Sequence, residues 1–331
     1  MCPEVPGLVC CRSSPAGYLR RQPFVVAALN PVVVDFFTHA LTAALLAYAI
    51  GVPQLAPFVV LGAVIADTDI LFGWISDTYP SQYLFIHGGI SHSFFGAVML
   101  SVIAWTAASG VIAAGYLPPG PVAPFSLVAF AAVLAGAFLH IGLDTLAVPG
   151  LPLLAPFSDR KYTAGLLPGP SIFLMGVSLL VIIPAALRVA DPSALVLPYA
   201  GIIVAFLAVR LVAFCIARVA VHGKGRAIPR ISPFRWLVIG ETPEVWIVSD
   251  YRIGKGIGEP AYLAKYRSTS AAEVAPYLAL PEVRRLRFHS SVVTVEKTGG
   301  GLLFSDPLRE SGRIFYPPHY KRVCISLQPL E

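Results

Sequence analysis

Long apolar runs separated by short polar or Gly/Pro-rich breaks dominate the first two-thirds of the chain. Six segments stand out, at about 34–50, 55–75, 93–117, 123–148, 171–190 and 194–221. A membrane-crossing helix needs roughly 20 largely apolar residues, and each segment meets or approaches that length. Gly51-Val-Pro, Leu117-Pro-Pro-Gly-Pro and Leu167-Pro-Gly-Pro punctuate them, since Gly and Pro break helices. The first segment is short enough to be interfacial or tilted, so the pattern predicts about six spans, within a range of five to seven. After about residue 226 the pattern changes to short β-rich runs. Arg235–Gly240, Glu244–Ile253, Tyr262–Arg267, Ser291–Lys297 and Val323–Leu327 read as strands, and Ala271–Leu286 as one helix. The expected architecture is mainly α: a polytopic helical membrane bundle over 34–221, then a small mixed α/β domain over 222–331. Residues 1–33 are expected to form a disordered extension. Arg20-Arg21 followed by Phe24–Ala28 is only a weak signal-like start, interrupted by Asn30-Pro31.

Composition agrees with the membrane reading. The 331 residues are 56% hydrophobic and 13% charged, against roughly 25% charged in soluble domains, and the mean hydropathy is +0.73. Charge is unevenly placed. Residues 1–221 hold 8 Lys/Arg and 8 Asp/Glu, whereas 222–331 hold 16 and 10, so the net +6 belongs to the last third. Arg12, Arg20 and Arg21 precede the first span, Arg160 and Lys161 lie between the fourth and fifth, and Arg218, Lys224, Arg226 and Arg230 follow the sixth. With an even number of spans these clusters share one side, which the positive-inside rule makes cytoplasmic. Both termini and the 149–170 loop are therefore expected in the cytoplasm, with the bundle in the cytoplasmic (inner) membrane. The five cysteines show no CxxC spacing and read as reduced and non-ligating.

On that topology the ionisable residues converge. Asp35 and His39 open span one, Asp67 and Asp69 close span two, His87 and His92 flank the entry to span three, and His140 and Asp144 end span four. All fall on the expected cytoplasmic face. Asp35/His39 and His140/Asp144 are i,i+4 pairs, each on one helix face, able to share a metal or to let the carboxylate orient the imidazole. Asp67-Thr-Asp69 at a helix end can present both carboxylates to ions. Ser91 and Ser93 flank His92, where a serine can cap the next helix. Ionisable groups in membrane segments cost several kcal/mol and default to function. Imidazole with carboxylate suits zinc, manganese or iron better than magnesium alone.

These residues resemble a known family. Thr38-His39-Ala-Leu, Ala66-Asp67-Thr-Asp69, His87-Gly-Gly-Ile-Ser-His92-Ser93, His140-Ile-Gly-Leu-Asp144-Thr145 and Ala155-Pro156-Phe157-Ser158 look like the motifs of YdjM-type membrane-bound metal-dependent hydrolases. The likeness covers about 34–165 and extends loosely through Ser232-Pro-Phe-Arg-Trp236. The order of His and Asp is also distantly similar to the zinc-dependent phospholipase C and P1 nuclease group. One departure is Ile70, where family members often carry His or Pro. The resemblance implies a membrane-embedded hydrolase in which metal-activated water attacks an ester or phosphoester. His39, Asp67, Asp69, His87, His92, His140 and Asp144 are the expected ligands of one to three divalent ions, most readily zinc, with Asp67, Asp69 and His92 nearest the chemistry. Arg160 and Lys161 are expected to bind a substrate phosphate. A site at the membrane boundary favours an amphiphilic substrate, such as a phospholipid or isoprenoid phosphoester.

Other chemistry is poorly represented. There is no His-Glu-x-x-His and no Gly-x-Ser-x-Gly. Gly254-Lys-Gly-Ile-Gly258 and Gly299-Gly-Gly301 read as turns between strands. Arg284-Arg285-Leu-Arg287 reads as a solvated helix face or an anionic-lipid contact, and no nucleic-acid partner is expected. His222, His289 and His319 read as structural or surface groups. The rival reading is a metal-binding membrane protein without catalysis, whether transporter, scaffold or sensor. A transporter should place its ligands near the midplane and often shows inverted repeats, whereas here they sit toward helix ends.

Overall fold

The computed structural model describes residues 36–118, 120–316 and 320–327; Asp35, the 1–33 extension and His319 lie outside them. The apolar segments form helices α1 (Phe36–Ala49), α2 (Ala56–Ile65), α3 (Gly73–Thr78), α4 (Phe94–Ala113), α5 (Leu127–Asp144), α6 (Ile172–Ala186) and α7 (Pro192–Ala220). Serine side chains start three of them: Ser93, Ser126 and Ser171 each accept a backbone N–H at the head of α4, α5 and α6, as N-caps do.

Four helical stretches are long and apolar enough to cross a membrane: Pro53–Thr78, Phe94–Ala113, Leu127–Asp144 and Pro192–Ala220. The first is α2 and α3 joined by a 3₁₀ turn. The expected count of six is not reached on length among the described residues. α1 and α6, with 14 and 15 residues, extend only about 21–23 Å at 1.5 Å per residue, less than a hydrocarbon core of about 30 Å. α1 gives way to a Gly51 turn with positive φ, and α6 carries Pro184 before its end.

α2 and α5 touch backbone to backbone. A Cβ on Gly62 would lie 1.8 Å from the Val133 carbonyl oxygen, and one on Gly136 would lie 1.9 Å from that of Val59. Small residues are what allow membrane helices this close an approach. Around the crossing, Phe58, Ala104, Ala129, Ala132 and Val133 form one buried cluster.

The C-terminal region is α/β, with two sheets. In the first, β1 (Arg226–Pro229), β2 (Arg235–Glu241), β3 (Val245–Arg252) and β4 (Gly256–Ile257) run in spatial order, and β5 (Ala261–Ala264) also pairs with β3. All its pairings are antiparallel. The second orders β6 (Tyr266–Arg267), β7 (Thr294–Thr298), β8 (Gly301–Ser305) and β9 (Arg322–Ser326). Only its β6–β7 pair is parallel. The expected helix over 271–286 is broken into α8 (Ala271–Val274), a 3₁₀ turn and α9 (Pro281–His289). Pro276 and Pro281 each sit at the first or second position of a new turn, where proline starts helices but cannot continue them. A last short helix, α10 (Pro307–Glu310), precedes β9.

The α/β region is bolted to the helices. Ala213, Ala217 and Val221 of α7 share a buried cluster with Trp236, Val238 and Tyr251. Arg210 of α7 donates to the carbonyls of Arg230 (2.9 Å) and Ile231 (2.7 Å). Arg285, expected on a solvated face, is buried: it donates to the Ser76 carbonyl and lies over the Tyr320 ring. The Tyr320 hydroxyl donates to Asp77 at 2.6 Å. The cysteine reading needs correction at Cys324, which is disulfide-bonded, while Cys215 is free and exposed. Spacing carried no sign of that bond.

Candidate metal centre

The close α2–α5 crossing places His140 beneath the end of α2. There its Nδ1 lies 2.6 Å from the Ala63 carbonyl oxygen. A carbonyl only accepts, so Nδ1 carries the proton and Nε2 presents its lone pair. Beyond Ile65 the chain tightens into the 3₁₀ turn Ala66–Phe72. At about 120° per residue, rather than 100°, positions 67 and 69 diverge by about 120° instead of about 160°, and both carboxylates reach the same cluster. Between α3 and α4, Ile90–His92 forms another 3₁₀ turn that buries His92 completely.

Asp69 holds two histidines at once. Its Oδ1 lies 2.8 Å from His87 Nδ1, and its Oδ2 lies 3.1 Å from His92 Nδ1. The Ser91 hydroxyl donates to the same Oδ2 and stands 2.9 Å from His92 Nδ1. A carboxylate accepting from Nδ1–H leaves each Nε2 as the lone-pair nitrogen, the usual outer partner of a metal-bound histidine.

The remaining donors meet closely. His92 Nε2 and His140 Nε2 are 3.1 Å apart. Asp67 Oδ1 is 3.5 Å from each of them. Asp144 Oδ2 is 3.5 Å from His92 Nε2 and 3.4 Å from His140 Nε2. Around a tetrahedral ion with bonds of about 2.0–2.2 Å, donor atoms stand about 3.3–3.6 Å apart. The separations of 3.1–3.5 Å fall at or just below that spacing, both for the His92–His140 pair with Asp67 and for the same pair with Asp144. Two imidazole nitrogens flanked by two carboxylates are a donor set that fits a divalent metal. His39 adds a further donor: its Nε2 is 3.1 Å from Asp144 Oδ1, and its ring stacks on His140 with centroids 3.9 Å apart. Three overlapping groups could hold an ion, namely His39/Asp67/His140, Asp67/His87/His92 and His92/His140/Asp144. Asp69 belongs to none of them.

A family model described as YdjM inner membrane protein matches residues 34–218, more than half of the chain. The chain belongs to the YdjM family. No curated protein and no solved structure matches it, so the phospholipase C and P1 nuclease likeness has no counterpart in these comparisons. The YdjM match contains every candidate ligand and ends inside α7.

Residues beyond the YdjM match also reach the centre. A cavity of about 60 Å³, room for several waters, is lined by His39, Asp67, His87 and Asp144 together with Lys161, His289 and Tyr316. His289, expected as a structural or surface group, is 5% exposed at the end of α9 and faces this cavity. Its sequence position held no clue, because only the docking of α9 brings it here. Lys161 is half-buried, with Nζ 3.8 Å from the Phe288 ring centroid. Loss of water around it, then the nearby Arg309 guanidinium, pulls its ammonium down to about 7. Arg160 is exposed, lies over the Tyr162 ring and is not part of the cavity wall. Close by, the Tyr83 hydroxyl donates to Asp159 at 2.7 Å and accepts from Arg284 at 2.8 Å. Burial and then the Asp159 carboxylate push Tyr83 up to about 12, while Asp159 is held below the ordinary carboxylate range, first by the Tyr83 hydroxyl.

Proposed function

We propose that this chain is a membrane-embedded, metal-dependent hydrolase that cleaves an ester or phosphoester of an amphiphilic substrate at the cytoplasmic face. The observation that carries the reading is the approach of Asp67 and Asp144 oxygens to the paired His92 and His140 ring nitrogens, at separations of 3.1–3.5 Å. Zinc suits an N₂O₂ set of this kind, with manganese and iron as substitutes. A divalent ion held there makes water a nucleophile near neutral pH and offsets charge on the ester oxygen.

The chain's own residues divide the remaining work. Asp69 orients the rings of His87 and His92 rather than ligating, so both keep their Nε2 atoms toward the cluster. His39 and His87 stand at the margin of the shell, where a second ion or the reacting water is accommodated. Asp67 keeps a second oxygen with which to take a proton from water, while that of Asp144 already meets His39 Nε2 at 3.1 Å. Lys161 faces the same cavity and holds an anionic group of the substrate, a role for which Arg160 is poorly placed. The basic clusters flanking the spans support a cytoplasmic site, and the short helices α1 and α6 complete a bundle of six membrane-embedded segments.

The test is direct. Protein purified in detergent is assayed for bound metal and for turnover of generic phosphoester and carboxyester substrates, beside His92→Ala. Metal-dependent turnover lost in His92→Ala supports hydrolysis. Bound metal without His92-dependent turnover favours a transporter or scaffold, and a folded protein that binds no metal overturns both readings.

A further inference from the structure

A second, larger cavity of about 470 Å³ adjoins the metal site, and Val148, Pro149, His289 and Tyr316 line both. Its walls carry four guanidinium groups, Arg230, Arg235, Arg309 and Arg313, against one carboxylate, Asp306. That carboxylate is already committed. Asp306 Oδ2 accepts from Arg309 Nε at 2.7 Å, and its Oδ1 accepts the backbone N–H groups of Leu308 and Arg309. Arg230 shares Asp250 at 2.6 Å. Among the described residues, Arg235 and Arg313 pair with no carboxylate.

An excess of guanidinium charge in a concave, partly desolvated space raises the local positive potential and draws anions. The planar N–H fork of arginine matches phosphate oxygens especially well. Between the charges the wall is apolar, through Ile228, Ile231, Leu237, Ile314 and Phe315. The loop that carries Ile231 is tied to α7 by the two Arg210 bonds, and α7 is one of the membrane-length helices. Ile231 and Phe234 on this loop are 63% and 57% exposed. The cavity thus opens beside a membrane helix with an apolar lip.

We propose that this cavity binds a phosphate group through Arg235 and Arg313, beside the metal site. Its role as the subsite for a non-reacting phosphate of the substrate rests on the hydrolytic reading, whereas phosphate binding itself does not. The apolar lip favours a phosphate attached to an acyl or isoprenoid chain over a free one.

The experiment uses the full chain in a neutral detergent after chelator treatment, so that no turnover can occur. Binding is measured calorimetrically for inorganic phosphate, dihexanoyl phosphatidic acid and dihexanoyl phosphatidylcholine. The wild type is expected to bind phosphatidic acid more tightly than phosphate, and phosphatidylcholine weakly. Arg235→Gln with Arg313→Gln should lower affinity for both phosphate monoesters and phosphate by about tenfold or more, with the melting temperature unchanged and Lys at both positions recovering part of it. Phosphate bound as tightly as phosphatidic acid keeps the site and makes its ligand a soluble phosphate. No binding by the wild type, or equal binding by the Gln variant, overturns the proposal. His92→Ala separates the two ideas: normal phosphate binding without turnover by any form leaves this site standing and removes the hydrolase. His92-dependent turnover with unaltered binding in the Gln variant does the reverse.

Discussion

His140 Nδ1 lies 2.6 Å from the carbonyl oxygen of Ala63, and that single bond ties the metal cluster to the α2–α5 crossing. Gly62 and Gly136 set the crossing, so a methyl group there acts on the site from below. Gly62→Ala should destabilise the protein by about 1–3 kcal/mol, as overpacking does, and lower its metal content. Thermal melting in detergent with metal analysis checks both. An unchanged melt with full metal would mean that the helices have room to part.

Asp69→Asn should leave a metal site weakened by about 10- to 100-fold, the usual effect of losing an outer carboxylate. Asp67→Ala, which removes a donor of the shell itself, should lose more. Competition against graded chelator measures the two. Equal losses would put Asp69 among the direct ligands.

Lys161 gives a pH signature. Its folded value of about 7 lies below the 10.5 usual for a lysine, so between these values the unfolded chain binds a proton that the folded chain does not. Stability therefore rises with pH from about 7 to about 10. The groups that share its surroundings are Arg309, and, around the cavity, His39, Asp67, His87, Asp144 and His289. Melting temperatures across that range should rise less steeply in Lys161→Met than in wild type. Parallel curves would show Lys161 to be ordinarily protonated.

Arg285 is the pin between α9 and the end of α3. Replacing it with Ala removes its bond to the Ser76 carbonyl and its neighbour for Asp77, at a cost of about 1.5–3 kcal/mol for a charged hydrogen bond. The α/β region should then release from the helices, seen as faster proteolysis near residues 222–226. A protease pattern like that of wild type would show the pin to be dispensable.

Much of the centre was legible because helical spacing and loop charge constrain one another. His39, Asp67, His92, His140 and Asp144 come from four separate segments, and their side chains do meet in one cluster. The role of Asp69 was not legible, because spacing gives a residue's face but not which oxygen meets which nitrogen. The span count depended on summed apolarity, which passes over Pro184 and the Gly51 turn. In the tail, β2 and β3 were plain from their β-rich runs, whereas β8 was hidden behind Gly299-Gly-Gly301, and Pro276 and Pro281 were read through as helix. The burial of Arg285 and the approach of His289 to the cavity were not legible for one reason: both depend on α9 packing against the helical part, a contact between segments some 200 residues apart in sequence that no local pattern encodes.

Part of the metal cavity's wall, His289 with Tyr316, belongs to the last third of the chain. During synthesis the donors up to Asp144 are made first. At about 5–20 residues per second, His289 follows them by roughly seven to thirty seconds. Throughout that interval the cluster lacks its final wall and lies open where that wall will stand. If the cluster takes up an ion in that interval, the metal present during expression, rather than one added to the finished protein, will be the one found inside, which metal analysis of protein made in different media checks.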